Sequence, residues 1–388
     1  MKASLQLSAL ESPTALLRPP KLRRPSRFTP VHLRAAMCGI GLAVLSLGSS
    51  MASGEPIIPP TSTVASTVPT NLDLNPYGIA FVPSGVPSGS ALQPGDVLVS
   101  NFNAASNQQG TGTTIVKLVT DSKPVTFFQG QNLGLTTALA VLKSGFVLVG
   151  NLPTTNGAIT STGSLLVINP QGGLFSELKD RTLLDGPWDM TVIIDQGSQV
   201  TAFVSNVLNG TVARIDISIG TSGATLLKSS RIIASGYMHR PDPAALVVGP
   251  TGLAYDAAHD VLYVASTAGN KVFAIFGAAA LKHDNGPGAV IYQDTDHLHG
   301  PLALALAPNG DLVTSNGDAV NPDPNQSSEI VEFTANGHFV AQMQVDPTPG
   351  SAFGLAFGLS SGGQSQFATV NDNTNSATVW TLRSSSGN

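Results

Sequence analysis

The chain has 388 residues, of which only 11% are charged, with 40 Gly, 27 Pro and a formal net charge of −5. So few charged side chains disfavour a helical protein, whose exposed faces need charged helix formers, and the dense Gly and Pro suit many short strands joined by turns. An acidic chain without a basic stripe also lacks the electrostatic footprint of nucleic-acid binding.

Residues 1–52 differ from the rest. They hold seven of the 19 Lys and Arg and one of the 24 acids, so residues 53–388 carry 12 basic and 23 acidic side chains, a net of −11. The basic stretch runs into an apolar segment, "AAMCGIGLAVLSL" at 35–47, and then into small residues, "GSSMASG". That order predicts a signal peptide over 1–52, cleaved after Ala52, and therefore a secreted or periplasmic protein. The apolar run is too short to span a bilayer, so no transmembrane anchor is expected. Cys38, the only cysteine, lies inside this segment, which leaves the expected mature chain without a disulfide framework or a thiol nucleophile.

Residues 53–71 are predicted as a linker and closing strand, and residues 72–385 as one repeat domain. A unit of four strands recurs there. Its first strand is apolar and opens on a small or special residue: "GIAF" at Gly78, "ALAV" at Ala138, "DMTV" at Asp189, "GLAY" at Gly252, "ALAL" at Ala303 and "GLAF" at Gly354, in steps of 60, 51, 63, 51 and 51 residues. Its second strand ends on Asn or Ser, at Asn101, Asn151, Asn206, Ser266, Asn316 and Asn371. A Val-rich third strand follows, such as "KVFAIF", and a weaker fourth closes most units, such as "PVTFF" and "AVIYQ". Four short strands in roughly 50 residues are the signature of a propeller blade. The expected fold is all-β, a six-bladed propeller of four-stranded antiparallel blades. The sixth unit stops after its third strand at Leu382, so "IIPPTSTVASTVP" (57–69) is predicted to supply the missing outer strand and remove two free sheet edges.

These residues carry a resemblance. "GPTGLAYDAAHDVLYVASTAGNKVFAI" (249–275) looks like an NHL-type repeat, and "GPLALALAPNGDLVTSN" is a weaker second copy. The chain resembles secreted bacterial six-bladed propellers of the NHL and gluconolactonase-like superfamily over residues 57–385. That superfamily includes lactonases, lyases, amidating enzymes and binding modules, so the resemblance implies an architecture and no single reaction.

In a propeller, the loops leading into the inner strands and leaving the second strands meet on one face around the channel. That face is expected to gather "NPY" (75–77), "GPWD" (186–189), "GPT" (249–251) and "HLHGP" (297–301). The loops after the second strands of blades 1, 2 and 5 read as long, as in "FNAASNQQGTGT" and "LPTTNGAITSTG". His297 and His299 lie two residues apart and would point to one side of an extended segment. With His239 they form a candidate imidazole site for a metal or for acid–base chemistry; otherwise each imidazole bonds a loop carbonyl. Trp188, Asn316 and Asp318 complete the expected rim site. The resemblance implies an alternative, a central Ca²⁺ or Zn²⁺ held by Asp189, Asn75, Asn206 and Asn316. The glutamate that such lactonases place near the first inner strand has no equivalent, the closest acid being Asp73. No G-x-S-x-G elbow, H-E-x-x-H or P-loop is present. The expected function is therefore binding of a small molecule or a protein partner on the rim of a monomeric, exported propeller. The alternative is a metal-dependent hydrolase or lactonase.

Overall fold

Alternating apolar strands punctuated by turns bury both faces only when sheets stack on one another, and this chain stacks six of them in a ring. The structure, a computed structural model, describes residues 56–57, 62–131, 133–317, 328–348 and 350–383. Each blade is an antiparallel sheet built outward from an inner strand, four-stranded in five blades and five-stranded in blade 3. The inner strands are Leu74–Phe81, Leu135–Val141, Pro187–Asp195, Pro250–Asp256, Pro301–Leu306 and Ala352–Leu359 for blades 1 to 6. Each packs against the inner strand of the next blade, and that of blade 6 packs against that of blade 1. In blade 3 the third strand pairs with both Ala224–Leu226 and Arg231–Ser235. The outer strand of blade 6 is Ser62–Ser66, paired antiparallel with Ser376–Thr381 from Ser62↔Trp380 to Ser66↔Ser376. One sheet thus holds both ends of the ring.

The small residues that open the inner strands answer to crowding at the centre. A Cβ added to Gly78 would be driven into the carbonyl oxygen of Thr137 in blade 2, and one on Gly354 into that of Tyr77 in blade 1. All six inner strands shift register at the same place, between Pro76 and Ile79 in blade 1 and at the matching residues elsewhere. This repeated bulge re-aims one side chain per blade. The residues concerned are Tyr77, Thr137, Trp188, Thr251, Leu302 and Phe353. All six line cavities at the ring centre.

A serine stitches alternate blades together. Ser100 Oγ accepts from Gly78 N and donates to Thr136 O of blade 2 at 2.6 Å. Ser205 does the same between Asp189 N and Thr251 O, and Ser315 between Ala303 N and Phe353 O. Blades 1, 3 and 5 carry this serine, while blades 2, 4 and 6 have Gly150, Ala265 and Val370 at the position before the strand-end residue. Among the described residues no helix is long and apolar enough to cross a membrane.

Candidate functional site

The bulges put aromatic rings where the channel opens. Tyr77 lies at its centre. Its ring is 5.3 Å from that of Phe102, 5.1 Å from that of Phe353 and 5.6 Å from that of Trp188, the last edge-on at 87°. Trp188 Nε1 donates to the Tyr77 hydroxyl at 2.6 Å, so both polar tips are satisfied inside an apolar cluster. Leu135, Leu302 and Val247 pack into the same cluster.

A hairpin roofs this mouth. Arg240–Asp242 pairs with Leu246–Val248 in the connection between blades 3 and 4. Asp242 builds its turn: the carboxylate accepts from Ala244 N and Ala245 N and pairs with Arg240 at 2.6 Å. Those donors and the guanidinium hold the Asp242 carboxyl below the ordinary carboxylate range, against the effect of burial. Leu246 adopts a left-handed φ of 62°, a costly conformation for a branched side chain with a Cβ. Gln109 of blade 1 reaches across and donates to Ala244 O at 2.6 Å. Between roof and rings lies a chamber of about 130 Å³, with Gln109, Thr251 and Thr267 among its polar walls. Asn75 and Asp372 also line it, and both line a polar cleft shared with Asn107, Thr348, Ser351, Asn373 and Asn375.

Below the rings, Asp189 faces a narrow cavity of about 40 Å³ in the channel. Its carboxylate accepts from its neighbour Met190 N and from Leu253 N of blade 4, both at 2.8 Å. Burial pushes its pKa up to about 7, with the two N–H donors opposing the shift.

The other residues singled out from sequence disperse. His239 lies on an open groove beside the roof hairpin, its Nδ1 bonded to Tyr237 O at 3.0 Å. His297 stacks on Phe339 at 3.8 Å and bonds Asp294. His299 has a buried Nε2 with no partner among the described residues, while its backbone N–H donates to Asn316 Oδ1. The three imidazoles therefore occupy three separate environments, and among the described residues no group of three or more His, Asp or Glu could hold a metal. Asp318 lies outside the described residues. Asn206 and Asn316 do not line the channel. Asn206 accepts from Asp185 N and donates to Leu183 O; Asn316 accepts from His299 N and donates to His297 O and Glu329. Each thus staples the loop leading into its own inner strand, which corrects their expected place among oxygen ligands. Asp73, the acid nearest the missing glutamate, is spent on Thr113 and Thr114. Of the expected site, Trp188, Asp189 and Asn75 reach the ring centre.

The sequence reading missed the roof hairpin, although the 63-residue step between Asp189 and Gly252 marks an insertion there. It also read residues 109–113 as loop, whereas they belong to the strand Gln109–Lys117, and it missed the hairpin of Thr154–Thr155 with Ala158–Ile159. The rings of Phe102 and Phe353 carried no signal beyond apolar strand composition.

No protein-family model and no curated protein matches the chain. Solved structures do. A gluconolactonase from Xanthomonas campestris aligns at 12% identity with a TM-score of 0.51, over 85% of this chain and 95% of that one. A calcium-binding regucalcin from Agrobacterium tumefaciens aligns at 12% identity with a TM-score of 0.46, over 82% of this chain and 93% of that one. The likeness is one of fold: this chain is a six-bladed propeller.

Proposed function

We propose that the protein is a ligand-binding propeller whose site is the roofed chamber at the channel mouth. The observation that carries this is the convergence of four aromatic rings, Tyr77, Phe102, Trp188 and Phe353, on one cavity under a hairpin. A cavity of about 130 Å³ suits a molecule of roughly one aromatic ring, since apolar cavities of about 150 Å³ take benzene. Asn75 and Asp372 give that molecule a polar exit toward the cleft. The expected ligand is a single ring bearing one polar substituent. Export through residues 1–52 belongs to the same proposal.

Calorimetric titration with benzyl alcohol and p-cresol tests it. Saturable binding that Val247→Phe abolishes by filling the chamber is the expected result. No saturable heat with any single-ring alcohol or phenol overturns it. A second reading, a Ca²⁺- or Zn²⁺-dependent lactonase, is favoured by one observation, the Asp189 carboxyl in the channel. Stoichiometric metal in the purified protein, with lactone hydrolysis lost in Asp189→Asn, would establish that reading instead.

A further inference from the structure

A second cavity lies on the other side of the roof hairpin. It is an open groove of about 450 Å³ between the hairpin of blade 2 and the roof. Ala158 and Ile159 form one wall, Leu246 and Val247 the other, with Leu208 beside them. Val247 also lines the chamber, so one strand of the hairpin separates the two cavities. The groove falls in the size range of sites for drug-sized molecules, and its walls are mostly apolar side chains.

Its polar groups set the ligand's chemistry. The two charged residues lining the groove, Arg240 and Asp242, are paired with each other at 2.6 Å and cancel. An ionic ligand thus gains no counter-charge there and loses its hydration. His239 also lines the groove. A backbone carbonyl only accepts, so the bond from Nδ1 to Tyr237 O fixes the proton on Nδ1. In the neutral ring Nε2 is then an acceptor, and it has no partner among the described residues. A hydroxyl group satisfies it by donating, which a carboxylate, with no proton to give, does not.

We infer that this groove is a binding site for a neutral apolar molecule carrying one hydroxyl, its apolar body between Ile159 and Leu208 and its hydroxyl on His239 Nε2. This site is distinct from the chamber and does not depend on it.

Calorimetry with 1-hexanol, 1-heptanol, 1-octanol and octanoate tests the inference. The alcohols bind saturably and tighten about fourfold per added methylene. Octanoate binds far more weakly than octanol. His239→Ala weakens octanol about three- to tenfold. Ala158→Trp, an exposed position that fills the groove from the blade 2 side, abolishes binding, and Pro243→Trp fills it from the roof side should the first variant fold poorly. Benzyl alcohol in the chamber serves as the control in both, so that loss of one site is read separately from loss of the other. Absence of saturable alcohol binding overturns the inference. So does octanoate binding as tightly as octanol, or octanol binding untouched by either tryptophan.

Discussion

Replacing Asp189 with Asn separates the charge of the channel from its hydrogen bonds. In the folded chain the carboxyl has its pKa pushed up to about 7 from 3.8, by burial. Between those values the native state holds a proton that the unfolded chain has already released, so this group makes stability fall as pH rises through that window. A shift of about three pKa units at ~1.36 kcal/mol each puts the full effect at up to about 4 kcal/mol, an upper bound because water enters the channel. Asn removes the titration and its pH dependence. It also supplies one acceptor oxygen where Met190 N and Leu253 N together use two. One orphaned N–H costs about 1–3 kcal/mol at every pH. The variant therefore gains on the parent as pH rises from 5 to about 7, and the difference levels off above that. Urea denaturation of both proteins at pH 5, 6, 7 and 8 reads the difference directly, and groups common to both cancel. A stability difference that stays constant across that range refutes the reasoning, because it would mean that Asp189 titrates alike in the folded and unfolded chains.

Glu332 obeys the same sign on a smaller scale. Burial raises its pKa to about 6 from 4.5, partly offset by the N–H of Ile57, so Glu332→Gln should gain stability relative to the parent as pH rises from about 4.5 to 6, checked by the same denaturation series. Gln109→Ala removes the bond to Ala244 O that latches the roof, and hydrogen exchange should quicken in residues 240–248 while the blade strands keep their protection. Ser205→Ala cuts the stitch from blade 3 to Thr251 O and leaves that carbonyl and Asp189 N short of a partner, with an expected loss of about 1–3 kcal/mol in denaturation. Expression in a bacterial host, followed by N-terminal sequencing of exported protein, should find Ser53 first.

The ring was legible because its physics repeats. Six copies of one apolar strand, each opened by a small residue or by Asp189, expose the period, and the crowding that selects Gly78 and Gly354 is a backbone effect visible in residue type alone. The recurrence of the strand-end Asn residues was legible in the same way, while their role as loop staples was not; Asn151 shows the pattern by accepting from Gly134 N. The alternation of the stitching serine was equally available in "VSN", "VSN" and "TSN" against "VGN", "VAS" and "TVN". It went unread because a single Ser in an apolar strand has no periodic signal of its own.

Most of the site, Trp188 and Asn75 apart, was illegible for a different reason. Its aromatic wall comes from the first bulge residue of three inner strands and from Phe102 on a second strand, positions that look like ordinary core until the bulge is known. A bulge is a register event between strands, and no composition rule places it. Histidines attract chemical expectation because of their pKa, yet here His297 is absorbed by Phe339 and Asp294, and His239 lines a groove apart from the other two. The sequence feature that did point to the site was a length. The step containing the roof exceeds the 51-residue steps by twelve residues, and in a ring whose blades are otherwise fixed by packing, added chain has nowhere to go but a face. That surplus closes the mouth, builds one wall of the groove and bears the strained Leu246, so both proposed ligands meet the same hairpin.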